Sequence, residues 1–114
     1  MNDNFYRSFE DTYRGSRELI AGRLTVYLPF IQPLLKIYPD AAAVDLGCGR
    51  GEWLELLVTT GFKAKGVDID DGMLQACHEL GLDVAHLDAL SALKELPSES
   101  LLIVSAFQDR KAHV

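Results

Sequence analysis

Three glycines at alternate positions, Gly47, Gly49 and Gly51, break the run VDLGCGRGE at 44–52 and restrict it to one kind of structure, a strand that turns sharply into a helix. The apolar residues at 41–46 read as a buried parallel strand, and Trp53, Leu54, Leu56 and Leu57 supply the apolar face of a helix directly after the turn. Such a turn lies at the carboxyl end of a strand, where open α/β sheets bind their ligands. The missing Cβ atoms let a ligand come close to the backbone. The first expectation is therefore a nucleotide-like cofactor.

The spacing separates two versions of that loop. A dinucleotide fingerprint is G-x-G-x-x-G with a pyrophosphate at the helix N-terminus. Here the pattern is D-x-G-x-G-x-G-E, with Asp45 before the glycines and Glu52 after them, and two carboxylates there would repel a pyrophosphate. A ligand with a cationic amino group suits them better. A second strand, at 64–70, ends in Asp68, Ile69 and Asp70, and Asp68 stands 21 residues after Gly47. An acid at that distance is the expected acceptor for ribose hydroxyls. Asp70 and Asp71 are expected to cap and open the next helix. A third strand-to-helix transition, at 82–90, passes through Asp88 and Ala89, and for Asp88 a helix cap and a ligand contact fit the local sequence equally well.

The acidic, glycine-spaced loop resembles motif I of the class I methyltransferases that use S-adenosylmethionine (SAM), a cofactor with an α-ammonium and a sulfonium but no phosphate. The resemblance implies a Rossmann-like α/β fold and release of S-adenosylhomocysteine (SAH). It implies that Asp45, Gly47, Gly49 and Glu52 shape one side of the cofactor site, with Asp68 and Ile69 at the second strand. Asp88 would receive the adenine amino group while the Ala89 amide meets a ring nitrogen.

Residues 1–40 differ in character and read as a helical lid or extension. Ser16 is a fitting N-cap for a helix bearing Leu19, Ile20, Leu24, Tyr27 and Leu28, with Glu18 in its first turn. Pro29 and Pro33 break or kink the next segment, in which Phe30, Ile31, Leu34, Leu35 and Ile37 form a second short helix. Arg14 and Arg17 flank Gly15 and can converge on an anion. In a SAM site that anion is the methionine carboxylate, which a guanidinium fork binds bidentately. Arg7 reads as solvated charge.

Taken together, FYRSFEDTYRGSRELI at 5–20, YLPF at 27–30 and DLGCGRGEWLELL at 45–57 resemble the methyltransferase domain of bacterial bifunctional methyltransferase/kinase proteins, among them O-antigen chain terminators. This narrower resemblance implies a saccharide or other small-molecule acceptor, such as a phosphate on the terminal sugar of a lipid-linked polysaccharide. No Walker loop and no H-R-D or D-F-G element of a kinase is present in the sequence.

The 114 residues suit one domain, and 48% hydrophobic content allows a core. No apolar run approaches the roughly 20 residues of a membrane span, and the polar start at Met1 lacks a signal-peptide pattern, so the expected location is the cytoplasm. A net charge of −6 argues against long nucleic acid as a partner. Two cysteines, Cys48 and Cys77, form neither a disulfide framework nor a metal-ligand pattern.

Residues 41–107 are expected to form the SAM-binding half-domain, about four parallel strands in the order 3-2-1-4, the fourth at 101–107. The polar segment 108–114 departs from the resembling family, as a C-terminal truncation would. An exposed fourth strand would invite pairing with a second copy. No catalytic base is named: His78 reads as helix surface, His86 as a strand residue, and His113 lies in the aberrant segment. A shortened methyltransferase that binds SAM or a protein partner without turnover is the alternative reading.

Overall fold

The computed structural model describes residues 16–96 and 103–106. The chain enters through helix α1 (Arg17–Leu24), a 3-10 turn (Thr25–Tyr27) and helix α2 (Leu28–Ile37). It then alternates: β1 (Ala42–Leu46), α3 (Glu52–Thr60), β2 (Lys63–Asp68), α4 (Asp71–Glu79), β3 (Val84–His86), α5 (Ala89–Glu95) and β4 (Ile103–Ser105). The four strands are all parallel, in the order β3-β2-β1-β4. This is the half of a doubly wound sheet that the strand-turn-helix repeat predicts.

Ser16 caps α1, its hydroxyl accepting the Leu19 amide at 3.1 Å. Because α1 is only eight residues long and buries none of them fully, the cap matters to it. Ser16→Ala should lower the stability of the chain by about 1 kcal/mol, read as a shift of the urea midpoint. Pro29 sits in the first turn of α2, where its missing N–H leaves no vacancy, whereas Pro33 lies within the helix. The expected break is thus confined to the 3-10 turn, and one helix runs across Pro33.

Alternation along β1 decides how the layers pack. Ala43 points to the face covered by α3, where Ala41, Trp53, Leu57 and Phe62 form a cluster joined by Leu24 of α1 and by Ile31 and Leu35 of α2. Val44 and Leu46 point the other way and pack with Val67 and with Ala92 of α5. A third cluster, Cys48, Leu54, Leu74, Cys77 and Leu82, fills the space between α3, α4 and the glycine turn. Leu54, Leu57 and Cys77 are completely buried. Gly66 of β2 makes this third cluster possible: a Cβ there would lie 2.8 Å from Cys48 Cβ, Cys48 Sγ and Leu54 Cδ2.

Candidate cofactor site

The turn after β1 passes through three left-handed residues, Gly47 (φ 70°), Gly49 (φ 57°) and Gly51 (φ 84°). They fall into two kinds. A Cβ at Gly47 or Gly49 would meet nothing within 4 Å, so this side of the turn is open. A Cβ at Gly51 would lie 2.7 Å from Leu82 Cδ1 and 2.9 Å from Cys77 Sγ, so the third glycine serves the close approach of α3 to the core. Sequence spacing alone does not separate these two uses.

Asp68, the last residue of β2, latches the turn. One carboxylate oxygen accepts the Gly49 amide at 2.8 Å and the other accepts the Asp70 amide at 2.9 Å. A carboxylate has roughly four acceptor positions, so lone pairs remain for a diol. Ile69 beside it is 66% exposed at the open carboxyl edge. Asp70 caps α4 through the Met73 amide at 3.1 Å, as the sequence predicts, and Asp71 begins that helix.

Asp45 is buried on β1, 2% exposed. Burial pushes its carboxyl up to about 7, opposed by a hydrogen bond donated by Ser105 and reinforced by the negative charges of Asp68 and Glu52. Ser105 Oγ lies 3.0 Å from Asp45 Oδ1 and also receives the Trp53 indole N–H at 3.0 Å. Ser105 carries no motif that marks it in the sequence and reaches Asp45 only through the pairing of β4 with β1. Glu52 is buried at the N-terminus of α3, where the helix dipole favours a carboxylate.

Arg17 reaches this region from α1. Its Nη1 donates to the Arg50 carbonyl at 2.7 Å, and Nη2 and Nε donate to Glu55 at 3.0 and 3.3 Å. The guanidinium therefore fastens the N-terminal helix to the glycine turn and to α3, using three of its five N–H donors on these partners among the described residues. Arg14, its expected companion, lies outside the described residues, as do Arg7, His113 and the segment 108–114.

Asp88 caps α5. The Ser91 amide and hydroxyl donate to it at 2.8 and 2.9 Å and hold its carboxyl below the usual carboxylate range. Local sequence fits a cap and a ligand contact equally well at this residue, and the cap is what the structure contains. Asp88 and Ala89 beside it are both exposed. Behind the turn, the Cys77 and Cys48 sulfurs lie 3.3 and 3.9 Å from the Gly49 carbonyl, and a hydrogen bond from the Cys48 thiol to Cys77, together with burial, pushes the Cys48 thiol up. Both cysteines are free.

His86 ends β3 with Nδ1 3.2 Å from Asp71 Oδ1, and His78 lies exposed on the last turn of α4. Among the described residues no group of three potential ligands could hold a metal ion, and no helix is long and apolar enough to cross a membrane.

The arrangement fits a ligand that is cationic at one end and carries a diol. Two carboxylates, Asp45 and Asp68, flank a backbone turn open at Gly47 and Gly49, and an exposed apolar residue, Ile69, comes directly after the second acid.

A family model, "Methionine biosynthesis protein MetW", matches residues 30–112. Among solved structures, a SAM dependent methyltransferase from Archaeoglobus fulgidus is 40% identical with a TM-score of 0.75, over 88% of this chain and 42% of that one. The plantazolicin methyltransferase BpumL in complex with SAH is 19% identical with a TM-score of 0.59, over 90% and 42% of the two chains. The same enzyme with a monoazolic desmethylPZN analog and SAH gives 18% and 0.56, over 87% and 39%. At that identity the BpumL structures share the fold alone. The chain spans about two-fifths of the length of the structures it matches. No curated protein matches it.

Proposed function

The chain belongs to the MetW family, and from that premise we propose that it is the cofactor-binding half of a SAM-dependent methyltransferase. The observation that carries the proposal is the pairing of a buried acid, Asp45, with a latching acid, Asp68, around an open glycine turn at the carboxyl ends of β1 and β2. In this reading residues 41–107 form the cofactor half-domain and 1–40 a helical lid.

SAM bound here would supply an electrophilic methyl group on a sulfonium, transferred in one in-line displacement as the carbon–sulfur bond breaks and SAH remains. The chain's own residues bind and orient. Asp45, with Glu52 beside it, holds the α-ammonium in a pocket of negative charge. Gly47 and Gly49 let the backbone lie against the amino-acid end. Asp68 accepts from the ribose while its other lone pairs keep the turn in place. Ile69 lies beside the adenosyl group, Asp88 and Ala89 face the adenine edge, and Arg17 (with Arg14) lies on the side of the methionine carboxylate. Holding the methyl donor in one orientation is where most of the rate from positioning arises.

The acceptor is proposed to be a small molecule or saccharide. The narrower resemblance favours a sugar phosphate or sugar hydroxyl of polysaccharide synthesis. A phosphate oxygen is already anionic and needs no general base, which fits a chain whose described histidines lie outside the acidic turn.

Isothermal titration with SAM and SAH tests the cofactor site, and SAH release in the presence of an acceptor tests turnover. Asp45→Asn keeps the shape of the side chain and removes its charge, so it should weaken SAH binding by about 1–3 kcal/mol. Undiminished affinity in a folded variant would sink the assignment of Asp45. Tight binding without turnover on any acceptor would favour a binding module over an enzyme.

A further inference from the structure

Ser105 lies 60 residues from Asp45 in the chain and meets it through the parallel pairing of β4 with β1, in which Asp45 and Ser105 are register partners. The contact has a fixed direction. An indole N–H can only donate, so at 3.0 Å from Trp53 Nε1 the Ser105 oxygen must accept. The single hydroxyl proton is then left for Asp45 Oδ1 at 3.0 Å or the Val44 carbonyl at 3.5 Å. The shorter bond, to a group that can carry charge, is the stronger one. Trp53 of α3, Ser105 of β4 and Asp45 of β1 thus form a relay that ends on the acid. Trp53 is itself held by the core cluster against α1 and α2 and by an edge-to-face contact with Tyr27, ring centroids 6.0 Å apart.

We propose that Ser105, oriented by Trp53, is a positioning residue that keeps Asp45 ionised as the acceptor for the cofactor's ammonium group, so that the fourth strand sets the pH range over which the cofactor binds. The proposal rests on the reading of Asp45 given above. Its electrostatic logic is a balance. Burial, Asp68 from β2 and Glu52 from α3 all oppose a charge on Asp45, and the Cys48 thiol in the turn stands near it as a further acidic group. The Ser105 hydroxyl is the contact that works the other way. Removing it favours the protonated acid, and a protonated acid offers the ammonium no charge.

The test has two readouts on the full chain. In the first, the Asp45 carboxyl is followed by carbon-13 NMR during a pH titration without cofactor. Ser105→Ala should raise the midpoint by about one pH unit, the size of one hydrogen bond to a charged group, and Ser105→Thr, which keeps the hydroxyl, should restore it. In the second, SAH affinity is measured from pH 6 to 8.5 and expressed as the ratio of wild type to Ser105→Ala, in which the ligand's own ionisation cancels. A one-unit displacement makes this ratio about ten-fold near pH 6 and close to parity at pH 8.5, where both acids are largely ionised.

A ratio constant across pH would mark a merely structural role and overturn the link to binding. An unmoved NMR midpoint in Ser105→Ala would overturn the relay. Failure of the underlying reading shows separately, as full SAH affinity in Asp45→Asn, because the NMR midpoint does not depend on the cofactor.

Discussion

Gly51→Val should cost the chain about 3 kcal/mol or more of stability, the largest effect expected of any single change in the glycine turn. Two terms contribute. The residue holds φ at 84°, a conformation that costs a residue with a Cβ about 1–2 kcal/mol and a β-branched one more. The new Cβ would also lie 2.7 Å from Leu82 Cδ1 and 2.9 Å from Cys77 Sγ, and Cys77 is completely buried, so the neighbours have little room to yield. Overpacking of this sort adds about 1–3 kcal/mol.

Against a typical total of roughly 5–15 kcal/mol for a folded domain, the sum removes a large part of the margin. Gly47→Ala is the control. It carries the same sign of φ but has open space where the Cβ would go, so only the backbone term of about 1 kcal/mol should remain. Urea denaturation followed by circular dichroism measures both. Equal losses at positions 47 and 51 would show that packing against α4 is not what Gly51 serves.

That contrast also shows what a sequence can reveal here and what it cannot. The order β3-β2-β1-β4 is expected from the resemblance to a doubly wound methyltransferase sheet and not from any local pattern, whereas the cap at Ser16 and the start of α4 at Asp71 follow from local spacing, because each depends on residues within one turn of a helix. The division of labour among the glycines does not, since it depends on Cys77 and Leu82, which the fold brings back from 26 and 31 residues away. Ser105 is invisible for the same reason: a lone serine on a short strand carries no pattern, and only the pairing of β4 with β1 puts its hydroxyl on Asp45. For Arg17 the sequence offers an anion-binding cation or plain solvated charge, and its engagement with Arg50 and Glu55 is a tertiary fact. Asp88 was ambiguous because a cap and a ligand contact require the same residue type at the same place.

The second large effect is expected at Asp68, which has two tasks that can be taken apart. Its carboxylate oxygens bond separate amides, Gly49 and Asp70, so Asp68→Ala leaves both without an acceptor and loosens the turn that Asp45 and Gly47 share. Hydrogen bonds to a charged group contribute about 1.5–3 kcal/mol each. If ribose hydroxyls also bond to this acid, Asp68→Ala should reduce SAH affinity by two orders of magnitude or so, about 3 kcal/mol.

Asp68→Asn separates the tasks. Asparagine has one oxygen, so whichever way it turns, an NH2 group faces one of the two backbone N–H groups and one arm of the latch is lost. The amide can still bond a hydroxyl. A ribose contact therefore predicts that Asn binds SAH distinctly better than Ala, and that the gap closes for an SAH analogue lacking both ribose hydroxyls. If Asp68 acts only as a latch, the two variants should differ by the same factor for SAH and for the dideoxy analogue. Titration calorimetry with the two ligands and the three proteins decides between these outcomes, because a latch responds to the state of the turn and a ribose acceptor to the hydroxyls themselves.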